Sequence, residues 1–135
     1  MSKKKKIILI VITILVILII MGMILYFIRP NNDSLIYNLE CEEPDNSMID
    51  LNKRGKELLE YNGKYYLFVK LGEHNTGGYS IKIEDIKIKK NKVDVYVSTK
   101  SPGLGEPVTM AFTYPYDVVE FNKKPYGINI IYNND

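Results

Sequence analysis

The hydrophobic residues of this 135-residue chain fall into one long uncharged run followed by a long series of alternations. The run begins at Ile7 and ends at Ile28, it contains no charge, and only Thr13 and Gly22 interrupt its large apolar side chains. As an α-helix with a rise of about 1.5 Å per residue, the run would be about 33 Å long. That length crosses the hydrocarbon core of a bilayer, about 30 Å thick, where a helix is needed to pair every backbone amide. The pattern therefore predicts a transmembrane helix over residues 7–28.

The residues on either side of the run predict its orientation. Residues 3–6 are four lysines, whereas Arg29 is the one basic residue directly after the run. Since basic residues concentrate on the cytoplasmic side of a membrane, the N-terminus is predicted to be cytoplasmic and the rest of the chain to lie outside. Tyr26 and Phe27 suit the outer interface, and Pro30 is expected to end the helix.

A cleaved signal peptide is the alternative for this N-terminal segment. It would need a shorter apolar region, usually about 7–15 residues, and a cleavage site built from small residues. The sequence RPNNDS after Ile28 offers bulk and charge instead, and Cys41 follows Glu40 too far from the run for a lipid-anchoring site. An uncleaved signal anchor is therefore favoured, and the uniform apolarity also disfavours an amphipathic core helix.

From residue 64 onward the apolar positions alternate with polar ones, which is the period of a β-strand. Turn-forming residues separate the alternating segments, and they include a Pro/Gly loop, SPGLGEP, over residues 101–107. Several short strands at this spacing predict a mainly β fold, a small antiparallel β-sandwich or barrel-like domain. The predicted strands cover residues 64–71, 81–88, 93–97, 108–114, 118–121 and 127–132.

The alternation changes phase inside the second of these strands. Ile81 and Ile83 are odd-numbered, whereas the next apolar pair, Ile86 and Ile88, is even-numbered. A slip of one residue would turn every later side chain to the opposite face of the sheet. An extra residue at positions 84–85 restores the facing, so the sequence predicts a β-bulge there.

Residues 49–61 allow two interpretations. Asn62 and Gly63 form the dipeptide most typical of a two-residue β-hairpin with a type I′ turn, which would pair ELLEY with KYYLFVKL. A helix is the alternative, but Gly55 would lie in its middle and cost about 1 kcal/mol relative to alanine. The hairpin is therefore favoured.

The chain between the apolar run and the first alternations is acidic and rich in turn-forming residues. Residues 29–47 are therefore interpreted as an acidic spacer, in which LIYNL could add a short edge strand. Residues 1–6 then form a cytoplasmic stub, and residues 48–135 form an extracytoplasmic β domain.

Charge divides the chain in the same place. The whole sequence has a formal net charge of +2, but residues 31–135 hold 13 basic and 16 acidic residues. The positive charge thus belongs to the anchor, and the domain lacks the clustered basic face that nucleic acid requires. With one cysteine in the sequence, the domain must be held by its core and not by an internal disulfide.

The inventory of reactive side chains is small. His74 and Cys41 are the only residues of their types, whereas a zinc site normally recruits three or four such ligands. His74 is expected in a turn beside Glu73, facing water, rather than in a Cys–His dyad or a Ser–His–Asp triad. The acidic pairs at residues 42–43 and 84–85 are expected to be solvated, and no phosphate-loop spacing occurs. No catalytic, metal or cofactor site is predicted, and the protein is not expected to be an enzyme.

The glycine pair in NTGGYS is the most distinctive feature of the predicted loops. Glycine supplies the positive backbone angles of a tight corner, so a turn alone would explain Gly77 and Gly78. Tyr79, directly after the corner, is either an aromatic residue at the edge of the core or a contact residue.

Short motifs stand in a fixed order around this corner and in the loops that follow it. They are Gly72, the corner Thr76, Gly77, Gly78, Tyr79 and Ser80, the loop Ser101, Pro102 and Gly103, then Tyr114, Pro115 and Tyr116, and finally Val118 and Val119. In this combination, residues 64–121 resemble the C-terminal domain of the PrcB-like protease-complex subunits. The resemblance implies a small extracytoplasmic β domain without catalysis of its own, in an accessory component of a surface protease complex. Members of that family are often secreted or lipid-anchored, whereas this chain is predicted to keep a transmembrane anchor.

A second similarity concerns the loops alone. NTGGYS, SPGLGE and YPY stand in the same order as the NPTTGY loop, the glycine-rich loop and the proline-aromatic loop of the chagasin-like inhibitors of cysteine peptidases. The first loop here lacks the proline and one threonine of that pattern. The similarity implies that loops 76–79, 101–106 and 114–116 could enter a peptidase cleft with little ordering cost.

Two functions follow as hypotheses. The first is a membrane-anchored, non-catalytic binding module that supports another envelope protein, with a surface protease as the partner that the first resemblance implies. Its partners would be the lipid bilayer, through residues 7–28, and that envelope protein, through residues 76–79, 102–103 and 114–116. The second is a tethered peptidase inhibitor that acts through the same loops.

Overall fold

The apolar N-terminal run forms one α-helix, α1, over Lys3–Phe27 in the computed structural model, which describes residues 1–28 and 34–134. Ser2 caps the helix, since its side chain accepts a hydrogen bond from the Lys5 backbone N–H at 3.4 Å. The helix is exposed along its whole length, and by length and composition it is able to cross a membrane. The predicted helix is thus confirmed, and it begins within the lysine run. The predicted stop at Arg29 and Pro30 lies outside the described residues.

The second compact unit, Ser34–Asp135, is built from short strands in two sheets. The strands are β1 (Tyr37–Asn38), β2 (Gly55–Tyr61), β3 (Lys64–Lys70), β4 (Ser80–Lys89), β5 (Lys92–Lys100), β6 (Tyr116–Phe121) and β7 (Gly127–Asn134). The first sheet has the strand order β1-β6-β3-β2, and the second has the order β4-β5-β7. Neighbouring strands are antiparallel except β5 and β7, which are parallel because the chain crosses to β6 in the first sheet between them. The predicted mainly β sandwich is confirmed, with one mixed sheet.

The main core lies between the two sheets. β5 contributes Val93, Val95 and Val97, which alternate with polar residues and are almost completely buried. Because alternate residues of a strand point to opposite faces, one face of β5 lies inside and the other outside. The valines share the core with buried residues of the first sheet, among them Leu67, Val69, Val119 and Phe121.

The outer face of the first sheet carries a second, smaller core. Tyr66 and Phe68 alternate with main-core residues on β3, and Ile49, from the chain before β2, packs with them. Cys41 packs against the same cluster. The pairing of β1 with β6 confirms the edge strand predicted in LIYNL. Residues 34–47, which composition assigns to a spacer, therefore include segments that pack on the sheet.

Two local predictions about the strands are confirmed. β2 and β3 form the predicted hairpin, in which Asn62 and Gly63 have φ angles of 51° and 75°, as a type I′ turn requires. The register of β4 against β5 shifts between Ile83 and Asp85, which is the predicted bulge. The bulge keeps Ile86 buried on the same face as Ile83.

The predicted strand over residues 108–114 is wrong. The chain between β5 and β6 is a loop with an isolated β-bridge between Thr113 and His74. Pro107 and Pro115 flank the alternating residues and have no amide to donate. The backbone beside residues 108–114 is the loop before β4 and not a strand. The alternation of residues 108–114 therefore has no sheet to extend.

Candidate functional site

Two loops lie side by side at one end of the sandwich, and we call them the paired loops. They are the β3–β4 loop, residues 71–79, and the β5–β6 loop, residues 101–115. Most of the predicted partner-binding residues lie in one or the other, so the fold brings together motifs that are distant in sequence. The backbone hydrogen bonds between the two loops, each 2.9 Å long, run from Leu71 N to Pro115 O, from His74 N to Thr113 O, from Thr113 N to His74 O and from Gly77 N to Thr109 O.

Side chains add to the contact between the paired loops. The Thr113 hydroxyl donates a hydrogen bond to Thr76 O at 2.7 Å, and the Tyr114 hydroxyl donates one to Glu73 Oε2 at 3.1 Å. The bond to the Glu73 carboxylate raises the pKa of Tyr114, because it favours the neutral phenol. Backbone and side-chain bonds together fix one loop against the other.

His74 is half-buried between these contacts, so the expectation that it faces water is wrong. Its ring stacks on that of Tyr79, with the centroids 4.0 Å apart and 13° between the planes. The His74 Nε2 atom is enclosed and has no hydrogen-bond partner among the described residues. Tyr79 in turn packs against the main core, so its contacts support the predicted role at the edge of the core.

The glycine corner turns the β3–β4 loop and also allows the β5–β6 loop to pack closely against it. Gly78 has a φ of +88°, and a Cβ built there would lie 2.9 Å from Cβ of Pro102 and 3.0 Å from Cγ1 of Val108. A side chain at this position would therefore strain the backbone and push the β5–β6 loop away. The predicted site residues Gly78 and Pro102 thus lie close together because Gly78 has no side chain.

The β5–β6 loop holds three large apolar side chains in solvent, Leu104, Met110 and Phe112, which we call the apolar loop residues. Leu104 is fully exposed, next to Gly103, whose N–H donates to Glu106 Oε2 at 2.7 Å. Met110 and Phe112 are 85% and 63% exposed. Neither is identifiable from the sequence as a surface residue, because their alternation predicts a strand face. The signal against that strand was the pair of flanking prolines.

Tyr116 does not belong to the paired loops, although the sequence motif includes it. It lies on β6, half-buried, and its ring centroid is 5.9 Å from that of Phe68 in the smaller core. Its hydroxyl donates to Glu43 and accepts a hydrogen bond from Asn46 Nδ2 at 3.0 Å. The bond to Glu43 raises the pKa of Tyr116. Tyr116 therefore fastens the chain before β2 to the first sheet.

Cys41 is the remaining reactive side chain, and it is partly buried. Cys41 contacts the smaller core, and burial, followed by the nearby charge of Glu120, raises the pKa of its thiol. The thiol therefore stays protonated at neutral pH. Within residues 1–28 and 34–134, no group of three or more His, Cys, Asp and Glu side chains is placed to hold a metal ion.

Comparison with known proteins agrees with the loop motifs. The family model described as PrcB C-terminal matches residues 65–122. Searches of curated proteins and of solved structures find no match. The matched residues run from β3 to the residue after β6 and include both paired loops. Residues 65–122 of this chain are therefore a PrcB-like C-terminal domain, as the sequence resemblance predicted.

Proposed function

We propose that this protein is a membrane-anchored, non-catalytic binding module that contacts another protein of the cell envelope through its apolar loop residues. The observation that carries the proposal is the exposure of Leu104, Met110 and Phe112 on a loop that is held in place. Burying a large apolar side chain contributes about 1.5–3 kcal/mol, which these residues do not gain in the isolated chain. The paired loops are already ordered, so a partner would gain this free energy at little conformational cost.

The family suggests the class of partner. A PrcB-like domain points to association with a protease complex, so a surface protease is the first partner to test, with this chain as its accessory subunit. A non-catalytic role is supported by the state of the polar groups in the paired loops. The His74 ring is stacked on Tyr79 with its Nε2 atom enclosed, and Glu73 accepts a hydrogen bond from Tyr114, so both side chains contribute to holding the loops.

The helix α1 and the lysines at its start support a single-pass anchor with its N-terminus in the cytoplasm and the β domain outside. A protease added to whole cells is expected to digest the chain after residue 34 and to leave a small membrane fragment that contains α1. Protection of the β domain in intact cells would contradict the orientation. Recovery of the mature polypeptide from the culture medium would contradict the anchor.

A photo-crosslinking amino acid at position 104 of the full chain tests the proposed contact. It is expected to capture a protein of the cell envelope, because Leu104 is fully exposed on the β5–β6 loop. The matched control is the same amino acid at position 61. Tyr61 is also exposed, but it lies at the hairpin end of β2, and β3 runs from that hairpin to the paired loops. Equal capture from both positions, or none from position 104, would reject the contact.

A tethered peptidase inhibitor is the second candidate function, and the hydrogen-bonded pairing of the two loops favours it. Loops 76–79 and 101–106 both lie within the paired loops, as entry into one peptidase cleft would require. The full chain in detergent would be assayed against a panel of cysteine and serine peptidases, with Leu104→Asp as the control variant. Inhibition that the variant loses would support this function, and no inhibition by the wild-type chain would reject it.

A further inference from the structure

The sandwich has two sides at which an edge strand of one sheet meets the other sheet. On the first side, basic side chains from the chain around β2 reach β7. Lys56 Nζ donates a hydrogen bond to Ile128 O, and the Arg54 guanidinium lies 4.8 Å from the ring centroid of Tyr132. Contacts between the sheets therefore close this side.

The second side is only partly closed. β4 lies beside β6 and the chain after β1, and a groove of about 680 Å³, which we call the edge groove, remains between them. Residues 80–84 form one wall, and Leu39, Glu40, Tyr116 and Asp117 contribute to the other. β4 is the outermost strand of its sheet, so no strand of the described chain pairs with the edge that lines the groove. An unpaired strand edge is a template for a further strand.

One hydrogen bond shows which backbone groups of β4 face the edge groove. The Ile83 N–H donates to Asp117 Oδ2 at 2.8 Å, so this N–H points away from β5. In an antiparallel pair, the backbone groups of every second residue point to the same side, so the N–H and C=O of Ile81 face the groove as well. Asp117 occupies the amide of Ile83, and the two groups of Ile81 are the pair that an added strand would bond.

The side chains of the edge groove define which strand would fit. Glu40, Glu84 and Asp117 bring three negative charges against the single positive charge of Lys82, so the groove is acidic. Leu39 adds apolar surface to the wall opposite β4. Because alternate side chains of a strand point to opposite sides, a segment that alternates basic and apolar residues would meet both the charge and the apolar wall.

We propose that the edge groove binds an extended basic segment of a partner protein, which adds to the second sheet as a strand beside β4. Main-chain hydrogen bonds to Ile81 would supply affinity, and the acidic side chains would select a basic segment over an acidic one. An added strand along residues 80–84 would cover about 17 Å, at about 3.4 Å per residue. This contact is additional to the apolar loop residues and does not depend on them.

Hydrogen–deuterium exchange of the full chain, in nanodiscs of phosphatidylcholine, tests the site. The probe is a five-residue peptide that alternates lysine and valine, with a peptide that alternates glutamate and valine as its control. The basic peptide is expected to slow amide exchange in fragments that cover residues 80–84, but not in fragments of β7, the opposite edge of the same sheet. Equal protection by both peptides, protection of the β5–β6 loop instead, or no protection would overturn the proposal.

Charge-reversal variants separate the edge groove from a general effect of charge. Glu40→Lys with Glu84→Lys is expected to weaken binding of the basic peptide about tenfold or more, since two attractive charges become repulsive. The matched control, Glu42→Lys with Glu60→Lys, makes the same change in net charge at exposed residues outside the groove and should leave the affinity within about twofold. Equal losses in the two double variants would overturn the proposal.

A variant with Met110→Ser and Phe112→Ser should bind the peptide unchanged, so failure of this site and failure of the loop contact are distinguishable.

Discussion

Residues 93–97 and residues 108–114 have the same alternating pattern and opposite positions in the fold. On β5, Val93, Val95 and Val97 are all buried in the main core, whereas Met110 and Phe112 on the β5–β6 loop are exposed. Both stretches place an apolar side chain at every second position. The difference must therefore come from what surrounds each stretch and not from its own pattern.

The neighbours of the two stretches differ in the hydrogen bonds they offer. β5 lies between β4 and β7, so its backbone is paired along both edges and its valines face a second sheet. Residues 108–114 lie beside the β3–β4 loop, and Pro107 and Pro115 remove amide donors at both ends. Alternation thus specifies which side chains would share a face, but a neighbouring strand decides whether that face is buried.

The largest expected effect comes from placing a charge in each stretch. Val95→Asp is expected to lower the free energy of unfolding by about 4 kcal/mol or more, because it buries an unpaired carboxylate in the main core. Met110→Asp should change it by no more than about 0.5 kcal/mol, since the side chain is already in water. Chemical denaturation of the full chain in detergent, followed by tyrosine fluorescence, measures both. Comparable losses in the two variants would mean that Met110 is buried in solution.

Met110→Asp also tests whether the apolar loop residues are the contact with the partner. Met110→Asp is expected to abolish capture of the partner from position 104 while leaving the domain folded. A variant that folds and still captures the partner would show that the apolar loop residues are not the contact.

A smaller effect is expected at the glycines that shape the paired loops. Gly78→Ala should cost about 3 kcal/mol, because its positive φ is unfavourable by about 1–2 kcal/mol and the new Cβ would also meet Pro102. Gly105→Ala is the matched control, since Gly105 has a φ of +77° but nothing within 4 Å of an added Cβ. Its cost should be about 1–2 kcal/mol, from the backbone angle alone. Equal costs in thermal unfolding would show that the contact with Pro102 adds nothing.

Local features of the fold were predictable from the sequence because their signals are local. Asn62 and Gly63 specify a turn through their own backbone angles, and the change from odd to even apolar positions around residues 84–85 reveals the bulge. The parallel pairing of β5 with β7 was not predictable, because it depends on how the chain crosses between sheets. Ile49 over Phe68 is likewise a contact between distant segments.

The candidate site likewise combines features that the local sequence predicts with contacts that depend on distant segments. The corner at Gly78 could be predicted from glycine's own conformational freedom, but its contact with Pro102 requires that two loops meet in space. The period-two alternation of Met110 and Phe112 predicts a strand, but the flanking prolines, which have no amide to donate, oppose it. Tyr116 stands in the same motif as Tyr114, yet one residue lies on a strand against the smaller core and the other in a loop. Motif order alone does not separate these two environments.

Tyr114 and Tyr116 allow a test of whether the paired loops and the smaller core are separate environments. The bond to Glu73 raises the pKa of Tyr114, and the bond to Glu43 raises that of Tyr116. A pKa that is higher in the folded state means that each pair stabilises the fold fully below the ordinary tyrosine pKa of about 10. That stabilisation is lost as the pH rises through the raised value. Glu73→Gln is therefore expected to lower the pKa of Tyr114 and not that of Tyr116, and Glu43→Gln should do the reverse.

Carbon-13 labelling of the tyrosine rings, with NMR titration of the full chain in detergent, would follow each phenol separately. Glutamine keeps an oxygen that can accept the hydrogen bond, so the change removes the negative charge with little change in shape. Independent shifts would show that the paired loops and the smaller core respond as separate electrostatic environments. If either substitution moved both tyrosines equally, Tyr114 and Tyr116 would share one environment, and the motif that joins them in sequence would act as one unit in the fold.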